Sequence, residues 1–249
     1  MVNNKQLFSG KADDYFAARP GYPEALVNWM FEKVGDVKVA DIGAGTGIFT
    51  LSLLKKFSSV AAVEPNADMR AKFSCYLPDV PCIDGCAEAT KLEASSIGLV
   101  TCAQAFHWFD EDKFKTECRR ILSDRGKIAI VWNTSVKTDF AVERDEVCKA
   151  FCPRFAKGYA GKRSVAEGDI FLREQYLEDV EYETFDNFHV MDKEAFSANM
   201  SSRSYAPCRG SVEYPAFMEK LHAVFDRYAV DGKVTEVLAS QVYLGRIKE

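Results

Sequence analysis

The stretch from Val39 to Thr50, VADIGAGTGIFT, sets Gly43, Gly45 and Gly47 between an apolar run and a helical pattern. Glycine at such a junction lets the backbone turn sharply and lets a ligand approach without meeting a Cβ atom. Spacing separates the ligands that the bend can take. A triphosphate loop needs Gly-Lys-Ser or Gly-Lys-Thr, so that a lysine neutralises phosphate, and here Gly47 is followed by Ile48 and Phe49. A dinucleotide fingerprint needs its third glycine where Ile48 stands; the pattern is GxGxG, preceded by Asp41. A carboxylate beside the bend repels pyrophosphate and suits positive charge, such as an amino group or a sulfonium. Glu64 ends the next apolar run, roughly 20 residues on, where an acid can accept hydrogen bonds from both hydroxyls of a ribose. The alternative is an Asp and a Glu that merely end strands.

His107 falls inside the motif AQAFHWFD and is a candidate general base for a hydroxyl or amine. Trp108 and Phe109 beside it fit an aromatic anchor equally well. Arg154, Arg163, Arg203 and Arg209 point to an anionic acceptor in the C-terminal half, with Tyr159, Phe171 and Tyr205 as candidate walls against water. The cysteines pair at i,i+4 (Cys82 with Cys86, Cys148 with Cys152) rather than as CxxC, which reads as reduced thiols and no metal. A net charge of -5 argues against a phosphate backbone as partner. Residues Met1 to Gly10 show neither a signal-peptide apolar run nor a transit-peptide excess of arginine, so a cytoplasmic protein with no membrane partner is expected.

These side chains need a scaffold, and the chain's rhythm supplies one. Short apolar runs alternate with helical patterns, the signature of consecutive βαβ units and a mainly parallel sheet. Strands are expected at Val37 to Ile42, Val60 to Glu64, Val80 to Asp84, Ile97 to Ala103 and Gly126 to Trp132. Between them lie helices at Thr46 to Phe57, Asn66 to Tyr76 and Asp110 to Leu122, the last capped by Asp110. Further on, the pattern predicts a helix from Asp139 to Phe155, a mobile connection from Lys157 to Asp169 and a helix near Ile170 to Leu177. A strand from Val180 to Phe188, helices near Asp192 to Ser202 and Glu213 to Tyr228, and a strand within Val234 to Ile247 complete the α/β domain.

VADIGAGTG, VAAVEPNADM and LSDRGKIAIVW resemble the class I S-adenosylmethionine-dependent methyltransferases. FSGKADDYFAARPGYP, AQAFHWFD, SRSYAP and QVYLGR are similar to the small-molecule branch that includes the trans-aconitate methyltransferases. The resemblance implies a Rossmann-like sheet of seven strands, mainly parallel with an antiparallel last strand, helices on both faces and a helical lid. It divides a single domain into a lid (1–25), a cofactor core (37–133), a substrate-side insert (134–178) and a completing segment (179–249). It further implies S-adenosylmethionine as cofactor, with Asp41, Gly43, Ala44 and Gly45 at the methionine part and Glu64 at the ribose. Pro65, Asn66 and Met69 would border the nucleoside, and Gly85, Cys86, Ala87 and Glu88 would close over adenine. Cys86 stands where many relatives carry an acid. Gln104 would face the methyl group, Tyr15, Arg19 and Tyr22 would belong to the lid, and Tyr22, His107, Trp108 and Tyr205 would line the substrate pocket.

The expected function is therefore methyl transfer to a small molecule, with a carboxylic acid as a candidate acceptor, by a monomer or homodimer without nucleic-acid partners. Direct displacement from a sulfonium needs alignment and exclusion of water, and no nucleophilic side chain. A non-catalytic S-adenosylmethionine sensor on the same fold and an NAD-dependent oxidoreductase with a degenerate glycine loop remain as alternatives.

Overall fold

The computed structural model describes residues 19–156 and 165–248. The first of the alternating units places α1 (Glu24–Val34) before β1 (Val39–Ile42), and α2 (Ile48–Leu53) follows the glycine bend. Then come β2 (Val60–Val63), α3 (Ala67–Tyr76), β3 (Cys82–Ile83), β4 (Ile97–Ala103), α4 (Glu111–Ile121) and β5 (Leu122–Ser135). The C-terminal half contains α5 (Asp139–Phe151), α6 (Pro153–Ala156), α7 (Val165–Ile170), β6 (Leu177–Asp192), α8 (Lys193–Ser201), α9 (Tyr214–Tyr228) and β7 (Lys233–Ile247).

The seven strands form one sheet in the order β3-β2-β1-β4-β5-β7-β6. β1 to β5 are mutually parallel, and β7 runs antiparallel to both β5 and β6. The buried strands β1 and β2 are sealed along their whole length, as both-face coverage by helices requires. One face packs Leu26, Val27 and Met30 of α1 and Phe49 and Leu53 of α2 against Val39, Leu99, Val131 and Val242. The opposite face packs Phe114, Cys118 and Ile121 of α4 against Val100, Ile128 and Tyr243. A separate cluster joins α5, α8 and α9 through Phe140, Phe196, Phe217 and Leu221, above the ends of β6 and β7.

Several boundaries differ from the sequence expectation. The helix after the bend starts only at Ile48, because Gly47 sits at φ 92° and cannot belong to it. The expected helix to Phe155 breaks at Cys152, whose φ of -120° and ψ of 90° are what a residue before proline prefers. Residues 165–169 of the expected mobile connection fall within α7, while residues 157–164, with Tyr159 and Arg163, lie outside the described residues. The helix expected from Ile170 is a six-residue π turn, Phe171–Tyr176. β5 and β6 outrun their apolar patterns because β7 pairs with them well beyond the core, where polar side chains alternate. Among the described residues no helix is long and apolar enough to cross a membrane.

Candidate active site

A cavity of about 200 Å3 opens where β1 and β4 end and the chain turns into α2. The bend that forms its floor is held from outside. Gly43 and Ala44 donate their N–H groups to the Val63 carbonyl at 2.8 and 3.2 Å, and Gly47 donates to Ala44 O at 3.0 Å. Gly43 is required by its φ of 72° and by the closeness of Ala105, whose Cβ would lie 2.7 Å from an added Cβ. Gly45, at φ 58°, has nothing within 4 Å of where its side chain would stand. That open space faces the cavity, so a ligand can lie directly on the backbone there.

Two buried acids flank the bend. Asp41 is 1% exposed and accepts hydrogen bonds from Thr50 Oγ1 at 2.6 Å and Thr101 Oγ1 at 3.0 Å. Burial outweighs these donors and pushes its carboxyl up to about 6. Glu64 accepts from the Gly45 N–H at 2.9 Å and from the Asn66 N–H at 2.8 Å. Burial raises it as well, against the pull of those amides and of Arg70. Glu64 thus shapes the bend from behind while its remaining lone pairs stay available.

Next to β4, Gln104 adopts φ 58°, a left-handed conformation costly for a residue with a side chain. Its N–H donates to Val131 O at 2.9 Å and its Nε2 to Asn133 O at 3.1 Å. With the amide nitrogen engaged, the polarity of the side chain is set and Oε1 is left as its acceptor. A short 3-10 turn, Phe106–Trp108, then brings His107 and Trp108 to the wall. Burial lowers His107 to about 4, so its ring is neutral at neutral pH and a weak proton acceptor.

The opposite wall is cationic. Arg203, which donates to Asn199 Oδ1 at 3.2 and 3.0 Å, lies 3.5 Å from Glu236 Oε2. Arg144, 3% exposed, pairs with Glu236 Oε1 and also donates to Ser135 Oγ and Asp145. Burial opposes ionisation of Glu236, but the guanidiniums of Arg203 and Arg144 hold its carboxyl below the usual range. Burial pushes the Tyr205 hydroxyl up to about 12 although Arg203 draws it down, so it remains a neutral hydroxyl.

The cavity wall brings together Arg19, Tyr22, Asp41, Gly43, Ala44, Gly45, Gln104, His107, Trp108 and Tyr205. Arg19 donates to Ser202 Oγ and Ser202 O at 3.0 and 3.3 Å, and Tyr22 meets Phe49 edge-on at 4.6 Å. Glu64, Pro65, Asn66, Met69, Cys86 and Ala87 stand behind or beside the bend rather than on that wall. Asn66 caps α3 by accepting from Met69 N at 3.0 Å, and Met69 is 3% exposed. Cys86 exchanges backbone hydrogen bonds with Ala89, the turn after β3. Tyr15 lies outside the described residues. Of the four arginines, Arg203 reaches the wall, Arg154 and Arg209 are exposed away from it, and Phe171 is packed on Phe106 and Tyr176 instead.

Sequence reasoning missed Asn133, Ser135, Glu236 and Leu238 on the wall. Their signal was the strand pattern: alternate positions of VWNTS in β5 and of VTEVLAS in β7 share one face, so polar residues inside apolar strands marked where the core stops.

Residues 40–130 match the family model described as Methyltransferase domain. An uncharacterised methyltransferase-like protein of Schizosaccharomyces pombe is 36% identical over 140 residues, covering 54% of this chain and 55% of that protein. The match thus spans about half the length of that relative. Among solved structures, a provisionally named type II methyltransferase from Anaeromyxobacter dehalogenans superposes with a TM-score of 0.69 at 24% identity, covering 92% of this chain and 97% of that one. Phosphoethanolamine N-methyltransferase 2 of Haemonchus contortus, solved with phosphomonomethylethanolamine and S-adenosylhomocysteine, does so at 0.51 with 14% identity, covering 90% of this chain and 53% of that one. These two likenesses are of fold. The domain match thus covers residues 40–130, the stretch that holds the glycine bend and its flanking acids, within a sheet whose order is shared with solved methyltransferase folds.

Proposed function

We propose that the protein transfers a methyl group from S-adenosylmethionine to a small acceptor that carries a carboxylate. The supporting observation is the polarity of one cavity: the buried Asp41 at the glycine bend, with no lysine partner among the described residues, and an Arg144–Glu236–Arg203 array across from it. The cofactor fits the residues present. The space over Gly45 admits a ligand on the backbone, and the raised carboxyl of Asp41 gains from a nearby cation. Asp41, Gly43 and Gly45 would hold the methionine part, and Glu64 the ribose. When bound, the cofactor supplies an electrophilic methyl on a sulfonium.

What the chain contributes is alignment and dryness. Tyr22, Phe49 and Trp108 exclude water from the floor, and Gln104 Oε1 accepts from whatever donor reaches the transfer end. Arg203 orients the acceptor's anionic group by charge-assisted hydrogen bonds. A carboxylate is already ionised at neutral pH, so no base is needed, which agrees with the low basicity of His107.

Calorimetric titration with S-adenosylhomocysteine and with NADH, followed by transfer of a labelled methyl group to a panel of small carboxylic acids, tests the reading. Binding of the sulfur ligand and label on an acid are expected. NADH binding without a response to S-adenosylhomocysteine would overturn it.

A further inference from the structure

The polar rung at the outer rim of the cavity has a role that neither the bend nor the arginines explain. Asn133 on β5, Ser240 on β7 and Asn187 on β6 share one face of the sheet, with Asn133 and Ser240 directly cross-strand. Toward the core the same face carries Val131 and Val242, with Phe185 cross-strand to Ser240, all packed beneath α1. In the other direction it carries Ser135, Leu238 and Glu236 of the cavity wall. The three polar side chains are therefore the border between the two.

Their hydrogen bonds converge on a piece of chain far away in sequence. Asn133 Nδ2 and Asn187 Nδ2 donate to the Gly21 carbonyl at 3.1 and 2.9 Å. Ser240 Oγ donates to Asn133 Oδ1 at 2.5 Å and accepts from Asn187 Nδ2 at 3.1 Å. The hydroxyl thus orients both amides so that each presents nitrogen, not oxygen, to Gly21. Asn133 also accepts the Gln104 side chain on its backbone carbonyl at 3.1 Å. Gly21 is exposed and nothing lies within 4 Å of its absent side chain, so side-chain packing does not hold it. Arg19 and Tyr22 on either side of it form part of the cavity wall.

We propose that Asn187, with Ser240 and Asn133, is a positioning clasp. By fixing the Gly21 carbonyl it holds the strap 19–23 over the cavity, and ligand binding depends on that closure although Asn187 touches no ligand. The part of this inference that concerns ligand affinity rests on the methyltransferase reading; the part that concerns the strap does not.

The test uses the full chain with Asn187→Asp, which keeps the shape but sets oxygen against oxygen at Gly21, and Ser240→Ala, which removes the hydroxyl both amides share and leaves them only the longer 3.4 Å contact between Asn187 Nδ2 and Asn133 Oδ1. Hydrogen exchange of the ligand-free proteins is read by mass spectrometry. Exchange in a peptide covering residues 19–28 should accelerate at least tenfold in both variants, while peptides from β1 and β4 stay at the wild-type rate. With S-adenosylhomocysteine the dissociation constant should rise about tenfold, and with an accepted substrate KM should rise far more than kcat. Unchanged exchange in 19–28, or acceleration spread equally over β1 and β4, overturns the clasp. If the wild type does not bind S-adenosylhomocysteine yet the strap still loosens selectively, the clasp stands and the proposed function falls.

Discussion

Asp41 and Glu236 are both acids sealed inside the protein, 1% and 2% exposed, on opposite sides of one cavity, and their surroundings drive them in opposite directions. Among the described residues Asp41 meets two hydroxyls and no cation, so burial wins and its carboxyl rises to about 6. Glu236 meets two guanidiniums, which overcome the same burial. The first arrangement leaves negative charge short of a partner; the second, with Arg19 close by, leaves positive charge in surplus. A cavity with unmet demand of each sign suits a cationic ligand at one end and an anionic one at the other.

The sharpest break of this contrast is Glu236→Ala. It leaves Arg144 with Asp145 alone and takes away the acid that faces Arg203, and should cost about 3 kcal/mol in urea unfolding, whereas a loss below about 1 kcal/mol would mean that the guanidiniums are not dependent on it. Asp41 should show its opposite character through pH. Its folded value of about 6 lies above the ordinary carboxyl value of 3.8, so the folded state holds the proton more tightly. This contribution is full below the lower value and is lost as pH rises through the upper one, about 2 to 3 kcal/mol in all. Unfolding free energies of wild type and Asp41→Asn, compared at pH 4 and pH 7.5, should diverge by that amount in favour of the variant at the higher pH. Parallel curves would remove the argument for unmet negative charge.

Two smaller effects separate the ends by ligand. Glu64→Ala should weaken S-adenosylhomocysteine binding by about 1 to 3 kcal/mol, through loss of a charge-assisted partner and slackening of the bend at Gly45. Acceptor affinity, once an acceptor is known, should respond to Arg203→Lys instead, by roughly tenfold or about 1.4 kcal/mol, with cofactor affinity within twofold of wild type. An exchange of these two phenotypes would reverse the assignment of the ends.

The geometry of the glycine bend was open to reading from sequence because its determinants are local. A glycine bend between a strand and a helix, an acid before it and another at the next strand's end all lie between Val39 and Glu64. The Asp110 cap, accepting from Lys113 N at 3.3 Å, was equally local. The arginine-bearing wall is assembled from β5, α5, β7 and the end of α8, and its ion pairs join Arg144 to Glu236 and Arg203 to Glu236. No periodicity reports which buried acid meets which arginine across such separations. The arginine count pointed to an anion, but Arg203 could not be told from the exposed Arg154 and Arg209 without the fold. Phe171 was misplaced for the same reason: an aromatic residue suits a pocket wall and a core alike, and the π turn delivers it to the core.

The sheet order carries a consequence for how the molecule comes into being. β7 is the latest of the seven strands to leave the ribosome, yet it occupies the slot between β5 and β6. Until it arrives, β6 has no neighbour, Glu236 is not yet made, and Arg144 has only the adjacent Asp145 as counter-ion. The half with the glycine bend, built on β1 to β5, can settle during synthesis, and the half with the Arg144–Glu236–Arg203 array, where we propose the acceptor binds, cannot. A nascent chain stalled before Lys233 should therefore resemble a cofactor domain with an unstructured tail, and the ability to discriminate among acceptors should be the final property the polypeptide acquires.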